Sequence, residues 1–174
     1  MKLSKTMREV VLHWGEMGTS WGVNRSVGQI HALLYLVGKP LTAEEISETL
    51  SLARSNVSTS LKELQDWDLI ERKQQLGDRR DYFTADGDLW DVLIKVADGR
   101  KKRELDPTIE MLARAADACK DDADTPADVR KRIAEMHRFV STMTHWYEQV
   151  KALPRATLLK LMGLGAKVAK FVGM

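Results

Sequence analysis

Cysteine is nearly absent: Cys119 stands alone in 174 residues. That excludes an intrachain disulfide framework and a zinc site built from two or more thiolates, and a reducing cytoplasm is the expected setting. Proline is scarce at 4 residues and glycine reaches only 11, so few positions can interrupt regular structure. No run of 18 apolar residues occurs, and the start Met1-Lys2-Leu3-Ser4-Lys5 lacks the apolar stretch of a secretion signal. A membrane is therefore not an expected partner. His13, His31, His137 and His145 form no i,i+4 pair and no His-Glu-x-x-His pattern. A phosphate-binding glycine loop and a nucleophile elbow are missing too, so binding is expected rather than catalysis, with no metal or cofactor. Charge of one sign is also lacking. Lys and Arg number 27 against 25 Asp and Glu, a net +2, so the placement of the charges must carry any argument for nucleic acid.

What is present is helical periodicity in a chain that is 44% hydrophobic and 30% charged, ample for one folded unit or two small ones. Leu3, Met7, Val10, Trp14, Met17 and Trp21 step by four and three like a heptad seam that seeks another helix, with Gly15, Gly18 and Gly22 weakening its end. A second helix from about Ser26 would bury Val27, Ile30, Leu33, Leu34 and Val37 before Gly38-Lys39-Pro40 stops it. Thr42 with Glu45 three residues on forms a capping box for a short helix over 43–50. After the turn Ser51-Leu52-Ala53, the positions Val57, Leu61 and Leu64 share one face of a helix running to Trp67. Two short helices joined by so tight a turn form a helix-turn-helix.

The period then changes. Leu69–Gln75 and Asp81–Thr84 read as strands around the tip Leu76-Gly77-Asp78-Arg79-Arg80, a β-hairpin wing. A further helix begins at Leu89, Leu93 and Val96, is expected to break or kink at the charged run Asp98–Glu104 and Pro107, and resumes through Ile109, Leu112 and Ala116. Asp121-Asp122-Ala123-Asp124-Thr125-Pro126 is a linker. Val129, Ile133, Met136, Val140, Met143, Tyr147 and Val150 form a second heptad seam. The expected fold is mainly α with a small β-hairpin wing: a winged helix-turn-helix over residues 22–87, and a helical dimerisation region from residues 1–21 and 88–174.

The second helix of the pair presents Arg54, Ser55, Asn56, Ser58, Thr59 and Lys62 away from its apolar face. Short polar groups and cations in the first turns of a helix suit base edges in the major groove of double-stranded DNA; a merely solvated face is the plain alternative. From Arg72 to Arg80 the wing concentrates four cations, Arg72, Lys73, Arg79 and Arg80, against one acid, Asp78, although residues 42–84 together carry more acids than bases. An arginine on a wing tip can reach phosphate or a narrow minor groove. A winged helix used only for protein association is the alternative that this acidic balance keeps open.

The runs Asn24-Arg25-Ser26-Val27-Gly28-Gln29-Ile30, Pro40-Leu41-Thr42-Ala43-Glu44-Glu45-Ile46, Ser55-Asn56-Val57-Ser58-Thr59-Ser60-Leu61-Lys62-Glu63-Leu64 and Gly77-Asp78-Arg79-Arg80-Asp81-Tyr82-Phe83 together resemble the GbsR branch of the MarR-type bacterial transcription regulators, over about residues 10–115. The resemblance implies a homodimeric, ligand-responsive regulator on a pseudo-palindromic operator, with terminal helices building the dimer. The chain departs from the family at Ala53, where a serine commonly caps the recognition helix. The branch includes choline-responsive members, so Trp14, Trp21, Trp90 and Trp146, otherwise core residues, become candidates for an aromatic cage around a quaternary amine. Some relatives use thiols as redox switches, a role open to Cys119 beside plain packing. The apolar, lysine-bearing stretch Leu158–Val172 reads as completing the dimer bundle, or else as a membrane-surface helix.

Overall fold

The computed structural model describes residues 1–85 and 87–165. They divide into two compact units, the first covering Met1–Val96 and the second beginning at Ala97.

In the first unit α1 (Lys5–Ser20) starts from Ser4, whose hydroxyl accepts the Met7 N–H at 3.2 Å. It packs along α2 (Arg25–Val37), on a face rotated somewhat from the expected one, which keeps Leu3, Met7 and Trp14 and takes Val11 in place of Val10. Met7 and Trp14 pack against the core with buried Leu3 and Val11, whereas Val10 and Trp21 are 41% and 54% exposed. Close approach of the two backbones sets this rotation. A Cβ on Gly28 would lie 3.1 Å from the Gly15 Cα and 3.1 Å from the Trp14 carbonyl oxygen. Gly15 therefore does not weaken the helix end, as its position suggests; it is the residue against which α2 seats. The chain turns out of α1 at Gly22, φ 78°.

Asn24 caps α2 by accepting the Ser26 N–H at 3.0 Å, and Gly38 ends it in the left-handed region at φ 62°. The expected face is buried at Val27, Ile30, Leu33 and Leu34. Leu41–Thr42 form a two-residue strand β1 that hydrophobic patterning does not reveal, because a strand so short has no period to read. Then follow α3 (Ala43–Leu50), α4 (Arg54–Asp66), β2 (Glu71–Gln74) and β3 (Asp81–Thr84). The sheet order is β1-β3-β2, antiparallel throughout, with Leu41 opposite Phe83 and Lys73 opposite Tyr82. The wing is thus the outer part of a three-stranded sheet. β2 starts two residues later than expected, since buried Ile70 is spent on the core ahead of it.

The unit boundary falls within α5 (Leu89–Arg100). Where a break or kink is expected, Lys101–Leu105 form one π-helical turn leading into α6 (Asp106–Ala118). Pro107 falls in the first turn of α6, where a missing N–H costs little. The wider turn is tied down in the second unit: Lys101 Nζ lies 2.9 Å from Asp106 and 3.4 Å from Glu148. Asp98 accepts from Tyr147 Oη at 2.9 Å and Lys151 Nζ at 2.8 Å. Both partners lie on α7 (Ala127–Lys151), which packs against α6. The second seam splits in two: Ile133, Val140, Tyr147 and Val150 are half-buried, while Val129, Met136 and Met143 are exposed, as are Phe139 and Trp146 outside the seam. Cys119 is buried at the end of α6. Of the C-terminal apolar stretch, α8 (Arg155–Leu164) covers the first part; residues 166–174 lie outside the described residues. No described helix is long and apolar enough to cross a membrane.

Candidate nucleic-acid interface

The site begins with how α3 is anchored. The Thr42 N–H donates to Glu45 Oε2 at 2.7 Å while the Glu45 N–H donates to Thr42 Oγ1 at 3.2 Å, closing the capping box. The Thr42 N–H held against it keeps the Glu45 carboxyl below its ordinary range. Ser51 makes the turn in the left-handed region at φ 54°, and Ser47 Oγ donates to the Leu52 carbonyl at 2.6 Å. α4 then starts at Ala53, which supplies no side-chain cap. Val57, Ser60, Leu61 and Leu64 bury its inner face, so Arg54, Ser55, Asn56, Ser58, Thr59 and Lys62 stand exposed, as their spacing predicts. Two of these side chains have partners within the protein. Thr59 Oγ1 donates to the Ser55 carbonyl at 3.1 Å, and Asn56 Oδ1 accepts from Ser26 Oγ at 2.8 Å.

The wing is internally braced. Arg80 Nη2 lies 2.6 Å from Asp78 Oδ2, and its Nε lies 3.1 and 3.0 Å from the two carboxylate oxygens. The Tyr82 hydroxyl also donates to Asp78 Oδ2, at 2.8 Å, and the guanidinium stands 5.5 Å from the Tyr82 ring centre. These donors, Arg80 first, hold the Asp78 carboxyl far below the usual carboxylate range and raise the Arg80 pKa. Arg72 pairs with Asp81 at 2.8 Å, Lys73 with Glu71 at 3.3 Å and Arg54 with Glu44 at 3.8 Å. Such exposed pairs are weak and exchange readily for phosphate. Lys62 and Arg79 have no ion-pair partner among the described residues.

Between α4 and the wing lies an open groove of about 480 Å³ whose walls bring together Arg54, Ser58, Lys62, Arg72, Arg79 and Arg80. Ser55, Asn56, Thr59 and Lys73 do not line it. Gln65 does, although it is not among the residues expected from the sequence; its spacing of three from Lys62 and seven from Ser58 is the signal that places it on the same face. Arg54, Lys62, Arg72, Arg79 and Arg80 of a net-acidic segment thus face one concavity, together with the acids Glu44 and Asp81 that pair with Arg54 and Arg72, and cations outnumber acids along its walls as a polyanion requires.

The tryptophans do not gather in one unit. Trp14, Trp21 and Trp90 belong to the first, Trp14 packed on its core, while Trp146 belongs to the second and is 56% exposed. Trp146 borders an apolar pocket of about 260 Å³ with Ala97, Leu105, Met143 and Tyr147.

Residues 21–81 match the model of the MarR family. The chain is 25% identical over 138 residues to the HTH-type transcriptional repressor GbsR of Bacillus subtilis (strain 168), covering 76% of this chain and 75% of that one. It is 25% identical over 77 residues to the repressor OpcR of the same organism, covering 44% and 42% of the two chains. A solved transcriptional regulator shares the fold with a TM-score of 0.63 at 23% identity, over 83% of this chain and 94% of that one. The helix-turn-helix, the wing and the cationic groove all lie inside or beside the residues that match the MarR family model, and over three quarters of its length the chain is similar to a transcriptional repressor.

Proposed function

We propose that the protein acts as a homodimer on a pseudo-palindromic operator, with α4 reading the major groove and the wing gripping flanking backbone or minor groove. The groove between α4 and the wing carries this reading, because it collects cations from segments far apart in a chain of almost balanced charge. Ser55, Ser58, Thr59 and Lys62 are the base-facing candidates, and Arg79, unpaired among the described residues, is the wing residue that meets phosphate. Arg80 is already half-neutralised by Asp78. The exposed stripe Met136, Phe139, Met143 and Trp146 on α7 is the apolar face a second protomer would cover. GbsR is a repressor by name, and repression is the sign of regulation proposed for this chain.

The test is a titration of operator and random DNA over a range of salt. Arg79→Ala should weaken binding to both alike and lower the salt slope by about one phosphate contact. Unchanged affinity for both at low salt would remove the wing from the interface, and an absence of salt-dependent DNA binding in the native protein would favour a protein-association module. The effector is proposed to be a quaternary amine or small apolar molecule seated against tryptophan. Trp146, exposed beside its apolar pocket, is the best placed of the four; a response of tryptophan fluorescence and operator affinity at millimolar amine checks it.

A further inference from the structure

The recognition helix lacks a capping side chain, yet its first turns are fastened by a polar cluster that reaches across to α2. Ser26 is 3% exposed, and its hydroxyl lies 2.8 Å from Asn56 Oδ1, 2.9 Å from Ser60 Oγ and 2.9 Å from Asn24 Oδ1. Ser60 is buried as well. A serine hydroxyl has one proton and two acceptor sites. Ser60 donating into Ser26 lets Ser26 pass its own proton to an amide oxygen, Asn56 on α4 or Asn24 at the α2 cap. One buried hydroxyl thus joins the N-terminal turns of two helices. Apolar packing at Val57, Leu61 and Leu64 holds α4 against the core, but such contacts are non-directional. A hydrogen bond has a narrow distance and angle range, so this cluster is what defines the tilt of the half of α4 that carries Ser55, Ser58 and Thr59.

We propose that Ser26, Asn56 and Ser60 are positioning residues for operator reading, fixing the recognition helix on α2 in place of the missing cap, and that Asn56 serves the protein rather than a base. This rests on α4 being the reading helix. A helix loosened at this point keeps its cations near the duplex but loses the alignment that hydrogen bonds to base edges require. The charge-driven and sequence-reading parts of binding should therefore separate.

The experiment is a double-mutant cycle on Ser26→Ala and Asn56→Ala, scored by fluorescence anisotropy with selected operator and random DNA and by thermal melting. Each single change is expected to weaken operator binding about tenfold, to leave random-DNA affinity and salt slope within about twofold, and to match the double variant, since one unit is broken in each case. Ala53→Ser added to Ser26→Ala should raise the melting temperature through a new cap without restoring the operator preference. If the two effects multiply, or if only Asn56→Ala loses the preference, Asn56 reads a base and the proposal is overturned. Restored preference on capping would show that helix fraying was the cause and overturn it equally. Should Ser26→Ala fail to fold, Ser60→Ala replaces it in the cycle. A native protein without any operator preference would instead defeat the assignment of α4 as the reading helix.

Discussion

Gly28→Leu is expected to destabilise the first unit by about 3 kcal/mol and to lower its melting temperature by roughly 12 °C or more. The neighbours of a Cβ at this position are the Gly15 Cα and the Trp14 carbonyl oxygen, both at 3.1 Å. They are backbone atoms of α1, and no side-chain rotation can clear them. A leucine would have to push the two helices apart along their shared face, opening the contacts of Val11 and Trp14 with the core. Gly18→Ala supplies the contrast. A Cβ there meets nothing closer than 3.8 Å, so alanine should add about 0.5–1 kcal/mol through helix propensity alone. Calorimetry on the three proteins checks both, and a Gly28→Leu variant that melts with the native protein would show that α1 and α2 are not held in backbone contact.

Stability should also fall as the solution is acidified from pH 6.5 towards 4, by roughly 3 kcal/mol in all, through a single residue. His31 on α2 is 4% exposed, its Nε2 has no hydrogen-bond partner, and burial lowers its pKa from 6.5 to about 4. Because the folded-state pKa lies below the unfolded one, the unfolded chain binds more protons between these values, and stability rises with pH across that window. Above pH 6.5 the ring is neutral in both states and the penalty vanishes; below pH 4 it is fully developed. His31→Leu keeps an apolar side chain in that place and should lose this component of the pH dependence. Urea unfolding of native and variant protein from pH 4 to 7 measures it, and parallel curves for the two would refute the assignment.

Much of the DNA-binding architecture was legible in the residues because the signals are local. Thr42 and Glu45 satisfy each other's amides within one helical turn, so the start of α3 follows from a spacing of three. Gly38 stops α2 where it was expected, and Asp78-Arg79-Arg80 sits at the tip between β2 and β3. The matched stretch carries the family signature for the same reason. Signals became ambiguous where a segment could adapt. Pro107 and the run of charges before it predict a break or a kink, and which of these forms is settled by tertiary pairing: one π-helical turn interrupts the α-helix, with Lys101 paired to Glu148.

The sequence by itself determined the helices of the helix-turn-helix, the capping box, the two strands of the wing and the outward set of cations on α4, since each depends on backbone preferences and periodicity within a few residues. Tertiary structure alone decided which side of α1 is buried, because a difference of one position between Val10 and Val11 is settled by how closely Gly28 lets α2 approach Gly15. It also decided that Asn56 is bonded to a serine thirty residues earlier in the chain, and that Gln65 shares a groove with the wing. In each case the outcome turns on distances between segments remote in the chain, and these exist only after the helices have packed.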